Sequence, residues 1–90
     1  MLYERIENEL LKQKSLAALI YLLESGRELE CELGGEIYFI TKSNSPQYIS
    51  LWHNGTEQSF ESIEELLENA VLAGETFLRL WDKMNIITLF

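Results

Sequence analysis

The sequence predicts an α+β domain: an N-terminal helix, a four-stranded antiparallel β-meander and two short C-terminal helices. Two observations lead to this fold. Apolar residues recur at three- and four-residue spacing on both sides of residues 27–60, which is the period of a helix. Within residues 27–60, polar and apolar residues alternate in the first part, and the rest is rich in residues that favour β-strands. The segment also contains Gly34-Gly35 and Asn54-Gly55, dipeptides that favour two-residue hairpins. Ninety residues, 47% of them hydrophobic, are predicted to form one domain, 1–90.

The first element, from Leu2 to Glu24, is predicted to be helical. Polar Gln13 interrupts its apolar stripe, and Ser15 could cap a new start. The segment is therefore either one kinked helix or two abutting helices. Ser25-Gly26 ends it, because glycine adopts the left-handed C′ conformation at little cost.

Four strands are predicted next, with Asn44-Ser45-Pro46 as the turn between the second and the third. The first strand alternates without interruption between glutamate and an apolar residue, which is typical of a strand with one buried face. The predicted strands are Arg27–Leu33, Glu36–Ser43, Gln47–His53 and Thr56–Phe60.

The last third of the chain begins with a predicted capping box, in which Ser62 accepts from the backbone at Glu65 and the Glu65 side chain reaches back to the Ser62 amide. This helix is predicted to end at Gly74, and a second short helix to span about Glu75–Lys83. The apolar segment Asn85–Phe90 is either a fifth strand or a tail packed on the core.

The hairpin turns fix the register, and the register sorts the side chains onto two faces. With Asn44-Ser45 as the loop, Thr41 is expected opposite Tyr48 and Ile37 opposite Trp52. The face that the helices should cover is then apolar. It comprises Leu29, Cys31, Leu33, Tyr38, Ile40, Ile49, Leu51 and Phe60.

The opposite face is predicted to bind a partner, because more large side chains lie on it than scattered exposure explains. Its predicted site residues are Ile37, Phe39, Tyr48, Trp52, Glu28, Glu30 and Glu32. In the alternative interpretation, the first helix or the 85–90 tail covers this face. A β-bulge between Glu36 and Trp52 would exchange the two faces.

The net charge of −8 and the absence of a basic stretch argue against binding to nucleic-acid phosphates or to anionic membranes. The acidity fits solubility, a basic protein partner, or mimicry of a nucleic acid's charge. With Cys31 as the only cysteine and no signal peptide, the chain is predicted to be cytoplasmic.

No residue set predicts chemistry, a cofactor or a metal site. His53 is the only histidine and is expected in solvent beside a turn. Cys31 is expected in the core as a small apolar residue. The row Glu28, Glu30 and Glu32 lacks the wrapping loop of a calcium site, and we interpret it as the charged face of a solvated edge strand.

Two C-terminal stretches carry a resemblance: Phe60-Glu-Ser62-Ile-Glu-Glu65-Leu-Leu67, and Gly74-Glu-Thr-Phe77-Leu-Arg-Leu-Trp81. They resemble the C-terminal part of small uncharacterised α+β proteins of Gram-positive bacteria, some of them immunity-like or encoded by mobile elements. The resemblance implies a non-enzymatic binding protein and no catalytic residues.

The sequence therefore predicts a non-enzymatic protein–protein interaction module that binds through its aromatic and acidic sheet face. Its partner is either a second copy, forming a homodimer, or another protein. The alternative hypothesis is an acidic inhibitor or immunity-type protein that neutralises a basic protein. The two differ in salt dependence, which is steep for charge neutralisation.

Overall fold

A computed structural model describes residues 2–44 and 47–90 and confirms the α+β class. Two helices precede the first four strands of a five-stranded antiparallel sheet, and two later helices precede its fifth strand. A small two-stranded ribbon lies between the later helices. In chain order the elements are α1 (Leu2–Gln13), α2 (Leu16–Glu24), β1 (Leu29–Leu33), β2 (Glu36–Asn44), β3 (Gln47–His53), β4 (Thr56–Phe60), α3 (Ile63–Asn69), β5 (Val71–Leu72), β6 (Glu75–Thr76), α4 (Phe77–Leu80), a 3-10 turn (Trp81–Lys83) and β7 (Asn85–Leu89).

The N-terminal segment is two helices, one of the two predicted alternatives. Lys14 separates them with a φ of 52°, the left-handed conformation that commonly ends a helix. The Ser15 hydroxyl then accepts a hydrogen bond from the Ala18 amide at 3.2 Å and caps α2. The chain therefore turns sharply between α1 and α2 instead of bending through one continuous helix.

The sheet has one more strand than the predicted meander. Its strand order is β4-β3-β2-β1-β7, so the predicted four-strand meander is extended by the C-terminal segment. Strand β7 pairs with β1, with an irregularity opposite Glu30 and Cys31. The interpretation of the glutamate row as a solvated edge strand is therefore wrong, because β1 lies inside the sheet and β7 forms that edge.

The register of two hairpins agrees with the prediction, and that of the third does not. Strands β1 and β2 pair Leu33 with Glu36, as expected for the Gly34-Gly35 turn. Strands β2 and β3 instead pair Phe39 with Trp52 and Asn44 with Gln47, a shift of two residues from the predicted register. Ser45 and Pro46 of the predicted turn lie outside the described residues. Because side chains alternate with a period of two, an even shift leaves every residue on its predicted face.

The predicted capping box and helix length need correction in the C-terminal third. Ser62 does accept from the Glu65 amide at 3.1 Å, but the Glu65 carboxylate accepts from the amide of Glu61, at 2.9 Å, and not from Ser62. Helix α3 ends at Asn69, well before Gly74. Ala73 and Gly74 both have positive φ and form the turn of the β5–β6 ribbon, which interrupts the predicted helix.

One apolar core lies between the helices and one face of the sheet. The predicted core face is confirmed: its central residues are buried, and Leu33 and Phe60 at its margins pack against the same core. The helices contribute large, fully buried side chains. These are Leu10, Leu19, Leu22, Leu23, Leu66 and Phe77.

Candidate functional site

The sheet face that points away from the helical core is the candidate site, and we call it the open face. Along β1, β2, β3 and β4 its side chains alternate with those of the core face. On β1–β4 the open face comprises Glu30, Glu32, Ile37, Phe39, Thr41, Ser43, Tyr48, Ser50, Trp52, Glu57 and Ser59. Strand β7 adds Asn85 and Thr88, which pair with Glu32 and Glu30.

A row of side chains crosses the open face from strand to strand. Glu57 on β4 pairs with Trp52 on β3, and Trp52 pairs with Phe39 on β2. Phe39 pairs in turn with Glu30 on β1. The row thus places two aromatic residues side by side with a carboxylate at each end, and we call it the aromatic–acidic row.

The apolar part of the open face remains partly accessible. Ile37 is 37% exposed and Phe39 is 39% exposed, whereas Trp52 is half-buried. Phe39 and Ile37 are neighbours on the same face of β2, and Phe39 lies opposite Trp52. The three side chains therefore form a contiguous patch on a surface that the helices leave uncovered.

The Trp52 indole is held in one orientation. Its Nε1 donates to the Thr41 hydroxyl at 3.0 Å, diagonally across the β2–β3 pair. Next to it, Ser50 is fully buried although it lies on the open face. Ser50 and Ser59 both donate to the same oxygen of Glu57. A tryptophan fixed in this way loses little side-chain freedom when a partner covers it.

Tyr48 lies apart from this patch. It pairs with Ser43 and is separated from Trp52 by Ser50, so its Cα is about 13 Å from that of Trp52 along the strand. Tyr48 instead lines a pocket of about 280 Å³ beside Lys42 and Ser62. The structure thus groups three of the four predicted apolar site residues and places the fourth at the other end of the sheet.

The predicted glutamates occupy different environments. Glu32 accepts from the Gly35 amide at 2.7 Å and from the Asn85 side chain at 2.9 Å, and these bonds, the Asn85 bond foremost, lower the pKa of its carboxyl. Glu30 lies at the end of the aromatic–acidic row. Glu28 precedes β1, half-buried, and its carbonyl oxygen accepts from the Phe90 amide at 2.8 Å.

Among residues 2–44 and 47–90, no cation forms an ion pair with the carboxylates of the open face. None of the side chains on this face is basic. The ion pairs between Arg27 and Glu7 and between Arg79 and Glu75 lie elsewhere, as does the contact between His53 and Glu36. The donors to Glu57 and Glu32 are neutral. The aromatic patch is therefore flanked by uncompensated negative charge.

His53 has two neighbours that the sequence does not predict. Its ring stacks on Tyr38, with centroids 4.4 Å apart, and its Nε2 lies 2.8 Å from a carboxylate oxygen of Glu36. The observed β2–β3 register begins with Phe39 opposite Trp52, and Tyr38 and His53 are the next residues of the two strands. The predicted register, which is wrong by two residues, does not bring these two rings together. These residues line an open depression of about 470 Å³ next to the β5–β6 ribbon. The half-buried histidine is held by its neighbours and is not free beside the turn.

Cys31 lies in the core, as expected. It is fully buried, and burial raises the pKa of its thiol to about 12. A thiol that keeps its proton at neutral pH is a poor nucleophile. Over residues 2–44 and 47–90, no cluster of three or more histidine, cysteine or acidic side chains has a geometry that could hold a metal ion.

Comparisons with protein-family models, with curated proteins and with solved structures find no match for this chain. The resemblance to small proteins of Gram-positive bacteria therefore stays a prediction. In the part of the chain that the structure describes, every helix is too short or too polar to cross a bilayer.

Proposed function

We propose that this chain is a non-enzymatic protein-binding module that uses its open face. The observation that carries the proposal is the pairing of Phe39 with Trp52 on the sheet face opposite the helices. Tryptophan is enriched at interface hot spots, since it combines a large apolar surface with a polar N–H group. Ile37 extends the same patch.

The shape and the charge of the open face support a protein partner over other ligands. A small-molecule site is typically a concave pocket that encloses most of its ligand. The aromatic–acidic row instead crosses four neighbouring strands of a sheet, and the two pockets described above lie at other places. Its carboxylates would repel the phosphates of a nucleic acid or of an anionic bilayer.

In-cell photocrosslinking tests the proposal. A photoreactive phenylalanine analogue replaces Phe39 in one variant and Leu78 in a matched control. Leu78 on α4 is 44% exposed, close to the 39% of Phe39, but it lies outside the open face. We expect a protein to be crosslinked from position 39 and not from position 78.

The crosslinked protein is then purified, and its affinity is measured without the photoreactive group. The proposal requires that the unmodified chain binds it and that the Phe39→Ala, Trp52→Ala double variant binds at least tenfold more weakly, as expected for hot-spot residues. Equal crosslinking from both positions, or equal affinity of the double variant, would show that the open face is not the binding surface.

A further inference from the structure

We infer that the open face binds a protein segment with the pattern basic–apolar–basic, and not a second copy of this chain. This inference rests on the proposed function and adds the chemistry of the partner. It follows from the aromatic–acidic row, in which Phe39 and Trp52 lie between the carboxylates of Glu30 and Glu57.

The spacing of the row defines the spacing of the basic residues. Three inter-strand steps separate Glu57 from Glu30, which places the backbones of the two residues about 14 Å apart. In an extended peptide, residues i and i+4 point the same way and are about 13 Å apart, with residue i+2 between them. A segment Lys-x-apolar-x-Lys laid across the strands therefore matches both carboxylates and the aromatic pair.

The carboxylates of Glu57 and Glu30 can each accept an ion pair from a basic side chain of the partner. One oxygen of Glu57 accepts both serine hydroxyls, and its other oxygen makes no hydrogen bond among the described residues. Glu30 has no cation within ion-pair distance in the same part of the chain. A partner lysine or arginine would thus form ion pairs without displacing an existing one.

The same charges disfavour a face-to-face homodimer. If a second copy is stacked on the open face with its strands aligned, its row runs in either the same or the opposite direction. In the first case Glu57 meets Glu57, and in the second Glu57 meets Glu30. Both arrangements bring like charges together around the aromatic pair, and like-charge contacts suppress an interface. A basic partner removes this repulsion.

An NMR titration tests the inference, because the chain contains two tryptophans that report on different surfaces. The indole N–H of Trp52 lies on the open face, whereas that of buried Trp81 donates to the Lys14 carbonyl oxygen at 2.9 Å and serves as an internal control. The probes are three synthetic peptides with the cores Lys-Ser-Trp-Ser-Lys, Gln-Ser-Trp-Ser-Gln and Glu-Ser-Trp-Ser-Glu, titrated into isotope-labelled protein at low and high salt.

We expect the lysine peptide to shift the Trp52 indole signal and not the Trp81 signal, and to bind more weakly at high salt. The Glu30→Gln, Glu57→Gln variant should weaken its affinity about threefold to tenfold, as expected for the loss of two exposed ion pairs. The Glu64→Gln, Glu68→Gln variant, which makes the same charge change on exposed positions of α3, should bind the peptide as the unmodified chain does.

Three results would overturn the inference. They are a glutamine peptide that binds as tightly as the lysine peptide, no Trp52 shift with any peptide, and a Trp52 shift that appears when the protein alone is concentrated. The third result would identify a second copy of this chain as the molecule bound to the open face. It would support the proposed function but contradict the inference that the partner is basic. If photocrosslinking from position 39 fails, the proposed function itself fails.

Discussion

Lys14 and Trp81 are joined by reciprocal hydrogen bonds. The Trp81 indole donates to the Lys14 carbonyl oxygen at 2.9 Å, and the Lys14 ammonium donates to the carbonyl oxygens of Trp81 and Met84. The ammonium also lies 4.7 Å from the centre of the Trp81 ring. These contacts join the break between α1 and α2 to the end of α4, elements separated by 67 residues in the chain.

We expect Trp81→Phe to lower the free energy of unfolding by about 1–3 kcal/mol, because the Lys14 carbonyl loses its donor. Lys14→Met, which removes the ammonium but keeps the apolar stem, should also destabilise. Since the two side chains touch, their effects should be non-additive by about 1 kcal/mol in a double-mutant cycle measured by urea unfolding. Strict additivity would show that the two contacts act independently.

The buried thiol of Cys31 predicts a loss of stability at alkaline pH. Burial raises its pKa from 9.0 to about 12, so the unfolded chain releases this proton at lower pH than the folded chain does. Stability from this group is complete below pH 9 and decreases by about 1.4 kcal/mol per pH unit as the pH rises toward 12. Cys31→Ala should therefore show a flatter decline in its urea-unfolding free energy over this range. Parallel declines for the two proteins would contradict the prediction.

The hydrogen bond between Asn85 and Glu32 predicts a loss of stability at acid pH. It links β7 to β1 and, together with the Gly35 amide, lowers the pKa of Glu32 below its ordinary value of 4.5. For a lowered carboxyl pKa, the contribution to stability is present above pH 4.5 and is lost as the pH falls through the folded-state pKa. Asn85→Ala should raise the Glu32 pKa, measured by NMR titration of the carboxyl carbon. An unchanged pKa would show that Asn85 does not determine it.

The sequence predicts the pairing of two neighbouring strands correctly where a two-residue turn connects them. The two-residue turns at Gly34-Gly35 and Asn54-Gly55 specify their registers, and both predicted registers are confirmed. The β2–β3 connection has no such dipeptide, and its predicted register is wrong by two residues. The predicted helix after Ser62 is too long, because apolar residues near Ala73-Gly74 fit a helical stripe as well as the short β5–β6 ribbon.

The candidate site follows from the sequence only in part. Alternation alone places Ile37, Phe39 and Trp52 on one face, because an even register error does not exchange faces. The sequence does not reveal that Phe39 lies directly opposite Trp52, since that pairing depends on the β2–β3 register. The sequence also leaves open whether residues 85–90 pair with β1, because a short apolar run fits either a strand or a packed tail.

The double variant Phe39→Ala, Trp52→Ala separates a binding role from a core role. Both side chains retain contact with water, so we expect the variant to lose about 1–3 kcal/mol of unfolding free energy, less than the loss of a fully buried ring would cost. The matched control is Phe77→Ala, which truncates a fully buried ring and should cost about 3–5 kcal/mol.

Urea unfolding of the unmodified chain, the double variant and Phe77→Ala, monitored by circular dichroism, gives the loss of unfolding free energy for each variant. A loss for the double variant as large as that for Phe77→Ala would identify Phe39 and Trp52 as structural residues of the monomer. A small loss, combined with weakened binding of the partner found by crosslinking, would place their contribution at the interface, because only there is the remaining exposed part of the two rings removed from water.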